Sequence, residues 1–119
     1  MKFLCLVYDD GAGIDSIPEQ EYDAIVRDVL EYREELKRRG NYIASSPLEA
    51  ADTAKTVRVR NGKTITTDGP FAETKDQVGG FYLIEAEDLD DALRLVEQMP
   101  PVRFSAIEVR ALKIFEQER

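Results

Sequence analysis

Histidine and tryptophan are absent from this chain of 119 residues, and cysteine occurs once. Without imidazole the chain lacks the usual general base near neutral pH and the commonest metal ligand. Zinc sites and serine–histidine chemistry are therefore excluded, and Asp, Glu, Lys and Tyr are left as proton carriers. A lone thiol forms no intramolecular disulfide, and Cys5 stands in the apolar run Phe3 to Tyr8, where it reads as a buried small hydrophobe in a reducing, cytoplasmic setting. Positive charge is scarce: 16 basic against 24 acidic side chains give a net charge of −8, which repels a polyphosphate backbone and argues against direct nucleic-acid binding. The local basic groups, Arg58, Arg60 and Lys63 and the run Lys37-Arg38-Arg39, read as a strand face and a helix end. No apolar run approaches the ~20 residues of a membrane helix. The opening residues show no basic n-region, cleavage site or lipidation signal, so neither membrane insertion nor secretion is expected.

Ligand motifs for ions and phosphates are missing as well. Asp9, Asp10 and Asp15 lack the spacing of a calcium loop, and Gly11-Ala12-Gly13 has neither a third spaced glycine nor a Gly-Lys-Ser/Thr ending. No metal and no cofactor is expected.

What the chain does contain is a regular succession of short apolar segments within one domain, residues 1 to 119. Residues 2 to 8 read as a strand stopped by Asp9-Asp10-Gly11. From about Pro18 to Arg39 the apolar residues Tyr22, Ile25, Val26, Val29, Leu30 and Leu36 recur at helical spacing, with Ser16 or Ile17 near the cap and Gly40 as a left-handed stop. Tyr42 to Ser45 is a short strand. Thr56 to Arg60 and Lys63 to Thr67 flank Asn61-Gly62, a strong signal for a two-residue hairpin turn that sets Val59 opposite Thr64 and Val57 opposite Thr66. Val78 to Glu85 is a further strand. Asp88 caps a short helix whose stripe is Leu89, Ala92, Leu93 and Val96, ended by Pro100-Pro101, and Ile107 to Ala111 closes the order. This succession predicts an α+β, ferredoxin-like antiparallel sheet with two helices on one face. Val57, Val59, Phe81, Leu83, Ile107 and Val109 make both sheet faces apolar, so a second subunit is expected on the open face, giving a homodimer.

The segment Thr67 to Tyr82 holds the chemistry. Asp68-Gly69-Pro70 is a turn in which proline fixes its own φ and the Asp68 carboxylate accepts backbone amides. Asp68 is accordingly expected to be buried and to face a cleft. With Lys75 it forms the candidate catalytic pair, a carboxylate to carry a proton and an ammonium to stabilise developing negative charge. Tyr8, Gly69, Pro70, Phe71, Glu73 and Tyr82 are the candidate ligand-binding residues. A structural reading stands beside this one: Asp68 braces the turn, Glu73 and Lys75 are solvated, Phe71 plugs the core and the tyrosines are anchored core residues. Gly79 and Gly80 read as a bulge or a close approach of chains.

From Asp68 to Lys75 the segment resembles the signature of the DGPF-motif proteins of the YCII-related group. The likeness extends to the opening strand ending in Val7-Tyr8-Asp9, the Val57 to Lys63 hairpin, Phe81 to Glu85, Asp88-Leu89-Asp90-Asp91-Ala92 and the closing Ile107 to Arg110. The resemblance implies a dimeric α+β barrel with a cleft between sheet and motif loop, in a bacterial cytoplasmic protein whose gene neighbours include extracytoplasmic-function sigma factors. It also implies a histidine–aspartate pair. This chain offers Asp68 but no histidine, and Val102 to Ser105 replaces an expected small, glycine-containing stretch. Two function classes follow: a small-molecule binder or enzyme using the Asp68 cleft, and a regulator acting through a protein partner such as a sigma factor.

Overall fold

The computed structural model describes residues 1–10 and 17–118; Gly11 to Ser16, which include the glycine pair and the expected cap Ser16, lie outside them. Six strands and two helices follow one another as β1 (Lys2–Asp9), α1 (Glu19–Arg38), β2 (Tyr42–Pro47), β3 (Lys55–Arg60), β4 (Lys63–Asp68), β5 (Gln77–Glu85), α2 (Leu89–Glu97) and β6 (Ala106–Ala111). Four strands form an antiparallel sheet in the order β2-β5-β1-β6, and β3 with β4 forms a separate two-stranded ribbon. The sheet order and the two crossover helices are those of a ferredoxin-like α+β fold, with the ribbon inserted between β2 and β5.

Alternation along the strands decides the two faces. Phe3, Cys5, Val7, Tyr82 and Ile84 point to the helices and are buried, joined by Leu36 of α1, by Ala92, Leu95 and Val96 of α2, and by Ala86 and Met99. Ile107 and Val109 pack against this same core. The six residues expected to make both faces of one sheet apolar are divided among three places. Ile107 and Val109 look inward, Val57 and Val59 sit in the ribbon, and Phe81 and Leu83 are joined on the open face by their register partners Leu6 and Leu4. The stripe of α2 is also rotated from expectation. Ala92, Leu95 and Val96 are buried while Leu89 and Leu93 are exposed, because Met99 continues the i, i+3, i+4, i+7 series begun at Ala92.

Local signals hold at the helix ends. Asp88 accepts the Asp91 amide at 2.8 Å as a side-chain cap. Gly40 has φ +77° just beyond α1.

The ribbon stands out from the body. Every side chain of β4 and nearly all of β3 are exposed, and the radius of gyration of 16.3 Å exceeds the about 13–14 Å of a compact chain this long. Its turn is the primed type, with φ 50° at Asn61 and 75° at Gly62, and the register pairs Val59 with Thr64 and Val57 with Thr66. A Cβ at Gly62 would meet no atom within 4 Å, so the cost of Gly62→Val is backbone strain alone, about 1–2 kcal/mol. Amide exchange at Arg60 and Lys63, the pair next to the turn, is expected to speed up about five- to thirtyfold, with the exchange of β1 unchanged. Unaltered exchange at those two amides would mean a turn that does not require positive φ.

Candidate functional site

A cavity of about 660 Å³ opens between α1 and the sheet, and the sequence explains why it is there. The C-terminal part of α1 is docked, with Leu36 fully buried and the Tyr32 hydroxyl donating to the Leu95 carbonyl at 2.6 Å. Its N-terminal part lies over small residues: Ser45 and Ser46 on β2, Gly79 and Gly80 on β5. Ile25, Val26 and Val29, left half-buried, and Leu30, left exposed at its edge, form the apolar roof of a void rather than the lid of a core.

The two glycines leave room for close approach. The register slips between Val7 and Tyr8 as β1 passes Gly79, and a Cβ on Gly79 would lie 1.9 Å from an Asp9 carboxylate oxygen. Only glycine lets the Asp9 side chain lie across β5. At Gly80 a Cβ would come within 3.1 Å of the Ser46 carbonyl oxygen.

The lining is polarised. Asp9, Asp10, Glu21 and Asp76 line one end, near the level where Asp9 pairs with Gln77. Arg33 lines the other, towards the level where Tyr82 pairs with Cys5 and Ser45. Twelve residues of α1 separate Glu21 from Arg33, about 18 Å along the axis. Tyr82 is buried, and desolvation, with lesser contributions from Tyr32 and Tyr42, pushes its hydroxyl up to about 12 against the opposing charge of Arg33. Tyr8 also lines the cavity, but its hydroxyl is committed elsewhere: it donates to Glu108 at 3.2 Å, which raises the Tyr8 pKa. Glu108 also accepts from Arg110. The Arg110 bond first and the Tyr8 bond second hold the Glu108 carboxyl below its ordinary range.

The structure thus brings Tyr8 and Tyr82 of the expected site residues to this cavity and leaves the motif residues outside it. Asp68, expected to be buried and braced by amides, has a side chain 87% exposed and ion-pairs with Lys55 across the ribbon. The reason is that the turn's polar groups find partners in the strand alongside. The Gly69 amide donates to the Ala54 carbonyl at 2.7 Å and the Thr56 hydroxyl donates to the Gly69 carbonyl at 2.9 Å, so the Gly69 amide is not left for the Asp68 carboxylate to cap. Gly69 itself takes φ +95°. The remaining loop is held by Gln77, whose amide donates to the carbonyls of Ala72 and Thr74 at 2.7 and 2.8 Å. Glu73 and Lys75 are exposed. Phe71 does not plug the core but is 75% exposed, with Arg58 over its ring at 5.1 Å. Pro70 and Phe71 line a separate shallow groove against residues 48–54.

Arg33, Ser45, Ser46, Glu21 and Asp76 were not singled out from the sequence. Their signal was indirect: two pairs of small residues, Ser45-Ser46 and Gly79-Gly80, in strands that lie opposite an amphipathic helix.

The YCII-related domain matches residues 1–116. The chain belongs to the YCII-related family. An uncharacterised protein of Rhizobium meliloti (strain 1021) is 32% identical over 117 residues, covering 97% of this chain and 94% of its own length. Among solved structures, 5-chloro-2-hydroxyhydroquinone dehydrochlorinase from Burkholderia phenoliruptrix AC1100, in complex with 2,5-dihydroxybenzoquinone, aligns over the whole of both chains with a TM-score of 0.54 at 23% identity. At that identity the likeness supports the fold alone.

Proposed function

We propose that this protein binds a small organic molecule in the cavity between α1 and the sheet. One observation carries the reading: an apolar, partly enclosed space of about 660 Å³, within the range of small-ligand sites, with a few polar groups at its ends. The dehydrochlorinase of the same fold, which holds a quinone, supports it by analogy. The ligand is placed here rather than at Asp68 and Lys75, which face solvent beside the ribbon. The test is a thermal-shift screen of small aromatic and aliphatic molecules, 2,5-dihydroxybenzoquinone among them, on the parent, Asp68→Ala and Val29→Trp. Stabilising compounds are expected to act on the parent and on Asp68→Ala alike, and to lose their effect in Val29→Trp, whose indole fills the space. Shifts that survive Val29→Trp and vanish in Asp68→Ala would return the site to the motif loop.

A second reading rests on the exposed apolar groups. Val57, Val59 and Phe71 are 63%, 65% and 75% exposed on the ribbon and its base, a surface suited to a protein partner, a sigma factor included. Leu4, Leu6, Phe81 and Leu83 on the open sheet face suit a second copy of the chain, and light scattering at micromolar concentration measures whether that homodimer forms.

A further inference from the structure

Arg33 is the outstanding polar group of the cavity. Its Nε is buried and has no hydrogen-bond partner among the described residues; the carboxylate of Glu34 comes no closer than 4.0 Å. The arginines that follow it on α1 are engaged, since Arg38 and Arg39 both pair with Glu35. The Arg33 side chain as a whole is 36% exposed, but its buried Nε–H has no acceptor, and such groups in folded proteins commonly mark a missing partner. The planar fork of arginine fits a carboxylate better than any other acceptor. The rest of the lining states what that partner's body must be. From Arg33 the cavity runs beneath Leu30, Val29, Val26 and Ile25, an apolar path, and ends among Asp9, Asp10, Glu21 and Asp76, whose charges disfavour a second anion.

Resting on the cavity reading above, we infer that the ligand is an elongated organic monoanion, its carboxylate or equivalent oxyanion on Arg33 and its apolar body along the α1 roof. The position of the charge selects the orientation. The acidic end rejects dicarboxylates of the same length.

Three probes of matched length separate the contributions: octanoate, its neutral amide octanamide, and the dicarboxylate suberate, titrated calorimetrically into the full chain. Octanoate is expected to bind about ten- to hundredfold more tightly than octanamide, as one charge-assisted hydrogen-bonded pair provides, and suberate more weakly than octanoate. In Arg33→Gln the octanoate affinity should fall to that of octanamide, while octanamide binding stays as in the parent. Should Arg33→Gln fail to fold, Arg33→Lys serves: it keeps the charge without the fork, and should weaken octanoate while leaving octanamide untouched. Equal binding of octanoate and octanamide by the parent, or octanoate binding unaffected by the loss of Arg33, would overturn the inference yet leave a ligand cavity standing. Binding of none of the three would overturn both.

Discussion

Phe3→Ala is expected to lower the unfolding free energy by about 3–5 kcal/mol, the range for deleting a buried aromatic ring without refilling its place. Phe3 is 1% exposed and pairs with Ile84, itself fully buried, in the β1–β5 ladder. It belongs to the one cluster that joins both helices to the sheet. With domain stabilities of about 5–15 kcal/mol, this single change removes a large share of what holds the fold. In denaturant the midpoint should fall with an unchanged slope. Val57→Ala, an apolar truncation at a side chain 63% exposed on the ribbon, should stay within about 0.5 kcal/mol of the parent. Comparable losses in the two variants would mean that the ribbon is packed and the assignment of the core is wrong.

Alkaline unfolding should be early and steep. Burial raises the Cys5 thiol from 9.0 to about 11 and the Tyr82 hydroxyl from 10.0 to about 12, because the native interior disfavours the anion. For each group the native state holds its proton where the unfolded chain has released it, so the stabilisation is complete below the unfolded value and is lost as pH rises through the folded one. For Cys5 the window opens near pH 9 and closes near 11. For Tyr82 it runs from about 10 to about 12. Each group contributes on the order of 3 kcal/mol across its window. Urea midpoints at pH 8, 10 and 11 measure the decline. Tyr82→Phe, which has no proton to lose, should decline from pH 9 like the parent and then fall behind it in slope above pH 10. Parallel curves for parent and Tyr82→Phe up to pH 12 would show that Tyr82 is not desolvated.

Much of this fold was legible in the sequence because its signals were local and mutually consistent. Asn61-Gly62 set the turn and the register of the ribbon, the 3.6 period placed α1 within a residue at each end, and Asp88 capped α2. Faces were harder. Counting Val57 and Val59 among the residues of one sheet assumed that the ribbon joins the main sheet, and nothing in an alternating pattern says which sheet a strand enters. The candidate site was legible only where it coincided with strands, at Tyr8 and Tyr82. Asp68 misled because a carboxylate before Gly-Pro is a good acceptor for turn amides, yet the Gly69 amide donates instead to Ala54, a residue distant in sequence, and Asp68 pairs with Lys55. Arg33 was invisible for the opposite reason: it sits on a charged helix among Glu34, Glu35, Lys37 and Arg38, and only the fold shows that its Nε lacks an acceptor among the described residues.

The ribbon leaves and rejoins the fold almost at one point. Pro47, the last residue of β2, pairs with Gly80, and the Leu48 amide donates to the Gly79 carbonyl at 2.8 Å, while Gln77 opens β5 a few residues before. Residues 48–76 therefore behave as a cassette spliced between two neighbouring rungs of a ladder. Lengthening it, shortening it or recharging its tip would leave the rungs themselves in place. Four cations and one carboxylate between residues 55 and 68 give the ribbon at the cassette's tip a charge of +3 in a chain of −8, so the remainder stands at −11. The molecule is a strong electric dipole. A cassette of altered charge would redirect how it approaches other molecules while leaving what it encloses unchanged.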